Sequence, residues 1–271
     1  MNGASREALA AARERLDALT DNTSVDAARL AAELAAVTAL LDREVSLRRV
    51  LTDPAQSGEA KAELAQRLLG TQISGTAADL VAGLVRSRWS QSRDLVDALE
   101  QLADAADLTA AQRVGTLDNV EDELFRFGRI VTSNVELRAA LTNRKATASA
   151  KGELLRSLLG GRADAATERL VTRLVTAPRG RSLEAGLESL SKLAAARRDR
   201  MVAVVTSAVP LSVLQRQRLG AALAKLYGRT MHLNLDVDPE VLGGIRVQVG
   251  DEVINGSLAD RIEDAARRMA S

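Results

Sequence analysis

The sequence predicts a mainly α-helical chain with a small α+β C-terminal domain: two tandem duplicated helical bundles, then a short sheet covered by helices. Three observations carry this. Residues 45–70 align without a gap on residues 135–160, an offset of 90, and twelve of the 26 paired positions are identical, among them Leu51/Leu141, Lys61/Lys151, Glu63/Glu153 and Gly70/Gly160. Up to about residue 200, apolar residues recur at threes and fours, the period of a helix face. Beyond it they alternate with polar residues, the period of a strand. A repeat this long is a whole domain rather than a solenoid unit, since two copies do not make an array. The expected division is 1–93, 94–199 and 200–271.

Residues 5–20 read as a short amphipathic helix with Ser5 as N-cap and Leu9, Leu16 and Leu19 on one face. From Asp26 to Leu51, apolar residues at 30, 34, 37, 41 and 45 make one helix, which Asp53-Pro54 breaks. Two shorter helices follow near 58–69 and 76–87, and Arg93 to Gly115 reads as one long helix closing the first bundle and opening the second. The second copy repeats the order at about 117–142, 147–159, 164–177 and 181–199, with turns at Gly160-Gly161 and Pro178-Arg179-Gly180.

Met201 to Ala208 is β-rich. Ser212 and Gln215 have the spacing of a capping box for a helix running to Tyr227. Met231, Leu233, Leu235 and Val237 alternate with polar residues, as do Ile245, Val247 and Val249. Gly243 and Gly244 precede the second of these strands as a structural turn. Gly250-Asp251 supplies a two-residue hairpin into Glu252 to Asn255, and Ser257 caps a final helix.

Composition excludes several functions. Aromatic residues are 1% of the chain, so the cores are built from Leu, Val and Ala, and no base-stacking surface is expected. The net charge of +1 lacks the concentrated positive charge that nucleic acid or an anionic membrane surface requires. With no cysteine there is no disulfide, thiolate nucleophile or zinc–thiolate site. No apolar run approaches the roughly 20 residues that span a bilayer, and no secretory signal begins the chain, so the expectation is a soluble intracellular protein without direct membrane insertion.

Four constellations resemble chemistry. Leu242-Gly243-Gly244 and Gly250-Asp251 lack the Gly-Lys-Ser/Thr and the helix start of a phosphate loop. Asp118, Glu121 and Asp122 fall within one turn, where carboxylates at a helix N-terminus favour the dipole. His232, the only histidine, falls on the polar face of its strand. Trp89, the only tryptophan, is either a cap over the first core or an interface anchor.

The run Val204 to Ser212, with Leu242-Gly243-Gly244-Ile245 and Val249 to Ser257, resembles the delta subunit of bacterial rotary ATP synthases, called OSCP in mitochondria. Residues 121–160 resemble that family's helical bundle, so the match covers about 95–271. Asn255 stands where the family often has Asp. The additional bundle at 1–93 resembles the extended delta subunits of actinobacteria.

The resemblance implies a non-catalytic stator subunit without cofactor or metal, peripheral on the cytoplasmic face of the cell membrane. It would link the N-terminal helices of alpha subunits on the catalytic head to the C-terminal region of the peripheral-stalk b subunit. It also implies an alpha-binding groove between the helices at 95–114 and 165–177, with Leu99, Leu102, Ala106, Leu170 and Leu174 as lining residues; taken one at a time, each of the five also reads as a plain core position. About five Leu-sized pockets, each contributing roughly 1.5–3 kcal/mol, give about 10 kcal/mol gross before ordering costs. A second contact through the same rigid body then adds avidity.

Overall fold

A computed structural model describes residues 2–21, 24–198, 201–227, 231–238, 241, 244–249 and 252–255. The chain divides into two compact units, Met1–Ala195 and Ala196–Ser271. The regular elements among the described residues of the first are all helices: α1 (Gly3–Asp21), α2 (Ala27–Arg43), α3 (Val45–Leu51), α4 (Gly58–Leu69), α5 (Gly75–Arg86), α6 (Ser92–Arg113), α7 (Leu117–Ser133), α8 (Val135–Thr142), α9 (Ala148–Leu159), α10 (Ala165–Thr176) and α11 (Leu183–Arg198), whose last three residues fall in the second unit.

The expected single helix over 26–51 is two helices, α2 and α3, and that over 117–142 is likewise α7 and α8. The breaks fall at Glu44 and Asn134, which are duplicate positions with non-helical backbone (ψ 78° and 100°). Asn134 also caps α8, accepting the Leu137 N–H at 2.9 Å, a local bond that competes with helix continuation. The apolar spacing runs on through both breaks, so periodicity does not reveal them.

Ser5 is not an N-cap. It lies buried inside α1, donates to Asp94 Oδ2 at 2.7 Å, and accepts the Ser90 N–H at 2.8 Å, fastening α1 to the start of α6.

The duplication extends to the fastenings. Ser57 and Thr147 cap α4 and α9, and Ser74 and Asp164 cap α5 and α10. Glu33 of α2 accepts from the Ser74 hydroxyl at 2.5 Å; its counterpart Glu123 of α7 accepts from the Thr167 hydroxyl at 2.6 Å and the Asp164 N–H at 2.9 Å. In each copy one carboxylate ties the second helix to the cap of the fifth.

The first core gathers Leu16, Leu30, Leu34, Leu41, Leu80 and Leu84 with α6 residues from Leu95 to Ala106. The second gathers Leu124, Phe127, Leu155, Leu170, Leu174 and Leu187 with Leu108 and Ala111 of the same helix. The division between the cores thus falls within α6, between Ala106 and Leu108. The Arg113 guanidinium, at the C-terminal end of α6, reaches back to the carbonyls of Thr20 and Val25.

The second unit contains β1 (Met201–Ser207), α12 (Val213–Tyr227), β2 (Met231–Val237), β3 (Ile245–Val249) and β4 (Glu252–Asn255). The sheet order is β2-β1-β3-β4, with β1 and β2 parallel and the other pairs antiparallel. Ser212 and Gln215 form the expected capping box, through bonds of 2.9 and 3.3 Å. Leu219 and Leu223 of α12 pack on Val205, Val247, Leu233 and Ile245. Leu235 and Val237, expected on the covered face, are exposed. Val249 pairs with Glu252, the register expected of a two-residue hairpin. Gly250, Asp251, Gly243, Ser257 and the final helix lie outside the described residues. Gly244 has φ +144°, a conformation that a side chain disfavours.

Candidate functional site

The five apolar residues expected to line a groove are all inside. Leu99, Leu102 and Ala106 are buried in the first core, and Leu170 and Leu174 in the second, so the fold does not bring the five together. The cause is the dual employment of α6: its apolar stripe is spent on the first bundle.

Between α6 and α10 stands an ionic seam instead. Asp97, Glu100, Asp104 and Asp107 follow at steps of three, four and three, one stripe of a helix. They meet four arginines. Arg173 binds Asp104 at 2.7 Å and Asp107 at 2.5 Å, and Arg169 binds Asp107 at 2.6 Å. Arg179 pairs with Glu100 and lies 3.5 Å from Asp97, and Arg181 reaches Glu100 at 2.5 Å. The Asp107 side chain is 0% exposed and that of Arg179 is 4% exposed.

Burial pushes the Asp104 carboxyl up to about 7 against the opposing pull of Arg173, and burial also raises Asp107. Arg179 takes φ +46° to make its contacts, and its carbonyl accepts from Arg93 at 2.9 Å. The acidic stripe is visible in the sequence as i, i+3, i+7, i+10, beside the apolar stripe of the same helix.

An open apolar groove does exist, between α7 and α11. It measures about 490 Å³, and its lining includes Leu124, Phe125, Gly128, Arg129, Leu187 and Glu188. Gly128 faces Leu187 of α11 with room to spare: a Cβ there would lie 4.0 Å from Leu187 Cβ, an ordinary contact. Phe125 is 59% exposed, although the chain has only two phenylalanines. The sequence signal was its place off the buried stripe Val120, Leu124, Phe127, Val131. Its neighbours Arg129, Glu184 and Glu188 give the groove a charged rim. Such a trough receives an amphipathic helix, apolar side inward.

Trp89 is resolved as a cap. It packs against the first core, and its indole N–H donates to the Leu84 carbonyl at 2.9 Å.

Residues 105–269 match the family model of the ATP synthase delta (OSCP) subunit. The chain belongs to this family. The delta/OSCP match begins within α6, close to where the core passes from one bundle to the next. Relatives of the whole chain's length include the preceding bundle. "ATP synthase subunit delta" of Streptomyces coelicolor is 86% identical over 271 residues, covering 100% of this chain and 99% of the relative. That of Streptomyces griseus is 81% identical, and that of Thermobifida fusca 49% identical, each over 100% of both chains.

As a delta/OSCP subunit, the chain is a stator component of ATP synthase and is not itself catalytic. Among the described residues, no helix is long and apolar enough to cross a membrane.

Proposed function

We propose that this delta/OSCP chain joins the N-terminal helices of alpha subunits to the C-terminal region of the b subunit, peripherally, at the cytoplasmic face of the cell membrane. The observation that carries the reading is the exposed Phe125 beside the apolar α7–α11 groove. An alpha N-terminal helix seats there, with its own apolar stripe on Phe125 and Leu187. The pair α6–α10, to which family resemblance points, is zipped by charge and offers its leucines to the cores. In the C-terminal unit, Val209, Val213, Leu214 and Leu226 are exposed, and this apolar surface suits the b segment. The bundles over 1–93 and 94–199 hold the head, and the unit over 200–271 holds the stalk.

Calorimetry of the full chain with a synthetic alpha N-terminal peptide tests the groove. Phe125→Glu should weaken binding at least about tenfold, or roughly 1.4 kcal/mol, and leave thermal stability within about 0.5 kcal/mol because the residue is exposed. Unchanged affinity would exclude this groove. Failure of the unaltered chain to bind either the alpha peptide or a b C-terminal peptide would overturn the linking role.

A further inference from the structure

Lys61 and Lys151 occupy one position of the duplication, the fourth residue of α4 and of α9, and both are buried, at 3% and 8% exposure. Burial lowers the pKa of Lys61, and the field of Asp53 opposes that. Trp89 covers the adjoining core, bonded to the carbonyl of Leu84.

In the second bundle each of these supports has changed. At the offset of 90, Asn143 replaces Asp53, Arg144 replaces Pro54, and Arg179 replaces Trp89. Arg179 turns its guanidinium away to Glu100 and Asp97. There remains a cavity of about 720 Å³ between the α8–α9 and α10–α11 connections, with Leu141, Arg144, Lys151, Leu174, Pro178 and Arg181 in its lining. The corresponding depression of the first bundle, bordered by Trp89 itself, is about 420 Å³.

Among the described residues, no carboxylate pairs with Lys151 or Arg144. Arg181 is held by Glu100 at 2.5 Å, and Glu184, the cavity's one carboxylate, faces Arg138 at 3.8 Å. Lys151, Arg144 and Arg181 line the cavity against the single carboxylate of Glu184, and this excess of positive charge favours an anionic guest. The cavity volume is that of small-ligand sites. Trp89 shows what fits: a flat ring whose N–H meets the carbonyl near a helix end, for which Leu174 is the second-bundle counterpart of Leu84.

We propose that this cavity binds an aromatic ring that carries, or is flanked by, a carboxylate. The ring takes the place that Trp89 fills in the first bundle, and the carboxylate takes the charge of Lys151 and Arg144. A free aryl-alkanoate and a tryptophan next to an aspartate on a partner chain share this chemistry.

Titration of the isotope-labelled full chain, followed by amide shifts, separates the sources with three probes: indole-3-acetate, the neutral 3-methylindole, and N-acetyl-Trp-Asp-amide. At least one acidic probe should bind about tenfold more tightly than 3-methylindole, moving amides in 141–151 and 174–183. Tighter binding of indole-3-acetate indicates a free small molecule; tighter binding of the dipeptide indicates a partner side chain. Lys151→Met should abolish the preference for the acid, and Ala146→Trp, which fills the cavity, should block both probes. No binding of either acid, equal binding of the neutral ring, or binding indifferent to Ala146→Trp would overturn the proposal. The last substitution decides the matter alone if Lys151→Met does not fold.

Discussion

Leu174 of α10 lies across the bare Cα of Gly186 in α11: a Cβ built at 186 would come within 2.8 Å of Leu174 Cδ2 and nearer still to Cδ1. Leu174 is itself buried in the second core, so room for a methyl at 186 requires its side chain to move toward the cavity that it also lines. In an unhindered helix, Gly→Ala stabilises by about 0.5–1 kcal/mol. Here the clash outweighs propensity, and Gly186→Ala should cost about 1–3 kcal/mol in chemical denaturation. Adding Leu174→Ala to that variant should cost less than the two changes summed. A stabilised Gly186→Ala would refute the close packing.

Arg173 holds two buried carboxylates at once, so its removal strands both. Arg173→Met preserves much of the stem and deletes the charge. Breaking a buried pair in this way costs about 3–5 kcal/mol, and urea unfolding should register a loss of that order. A change under about 1 kcal/mol would mean that the seam is solvated like a surface pair.

Asp104 makes the seam sensitive to pH. Its folded-state pKa, about 7, lies above the ordinary 3.8, because burial disfavours the charged form more than Arg173 favours it. The folded state therefore binds the proton more tightly than the unfolded state. The contribution of this group is complete below about pH 4 and is lost as pH rises towards 7. Glu100 and Asp107 on the same stripe add repulsion in the same direction. Asp104→Asn cannot titrate. The melting temperature of the wild type, measured against this variant, should fall from pH 5 to pH 8, and a constant difference would contradict the shift.

Trp89 is the only tryptophan and belongs to the first core, so its fluorescence reports that bundle alone. Trp89→Phe keeps a ring and loses the bond to Leu84, an expected cost of about 1 kcal/mol. Unfolding followed by Trp89 emission should coincide with unfolding followed by circular dichroism of the helices of Met1–Ala195, because α6 joins both cores. An early fluorescence transition would show that the first bundle melts independently.

The helices were legible where burial is one-sided. The stripe Val120, Leu124, Phe127, Val131 is the buried face of α7, and the capping box at Ser212 closes as its spacing predicts. The interruptions at Glu44 and Asn134 were not legible, because one residue leaves the helix while the apolar rhythm carries on. The interior placement of Leu99, Leu102 and Ala106 was one of two readings that the sequence left open. A leucine stripe states that a face is covered and not by what; here the cover is the first bundle. Ser5 reads as a cap by residue type, whereas its hydroxyl serves a partner 89 residues away. Phe125 is the residue that sequence periodicity left over, and such leftovers identify exposed apolar surface.

Helix α6 runs 22 residues, about 33 Å at 1.5 Å per residue, without a loop between its two employments. Linked modules ordinarily yield at their linker, where a few torsions absorb an applied moment. This pair has no such joint. A twist imposed on one half must strain backbone hydrogen bonds of a continuous rod or shear charged pairs out of a half-buried seam, and both resist elastically. A part whose task is to stay still under a turning load is well served by having nowhere to flex.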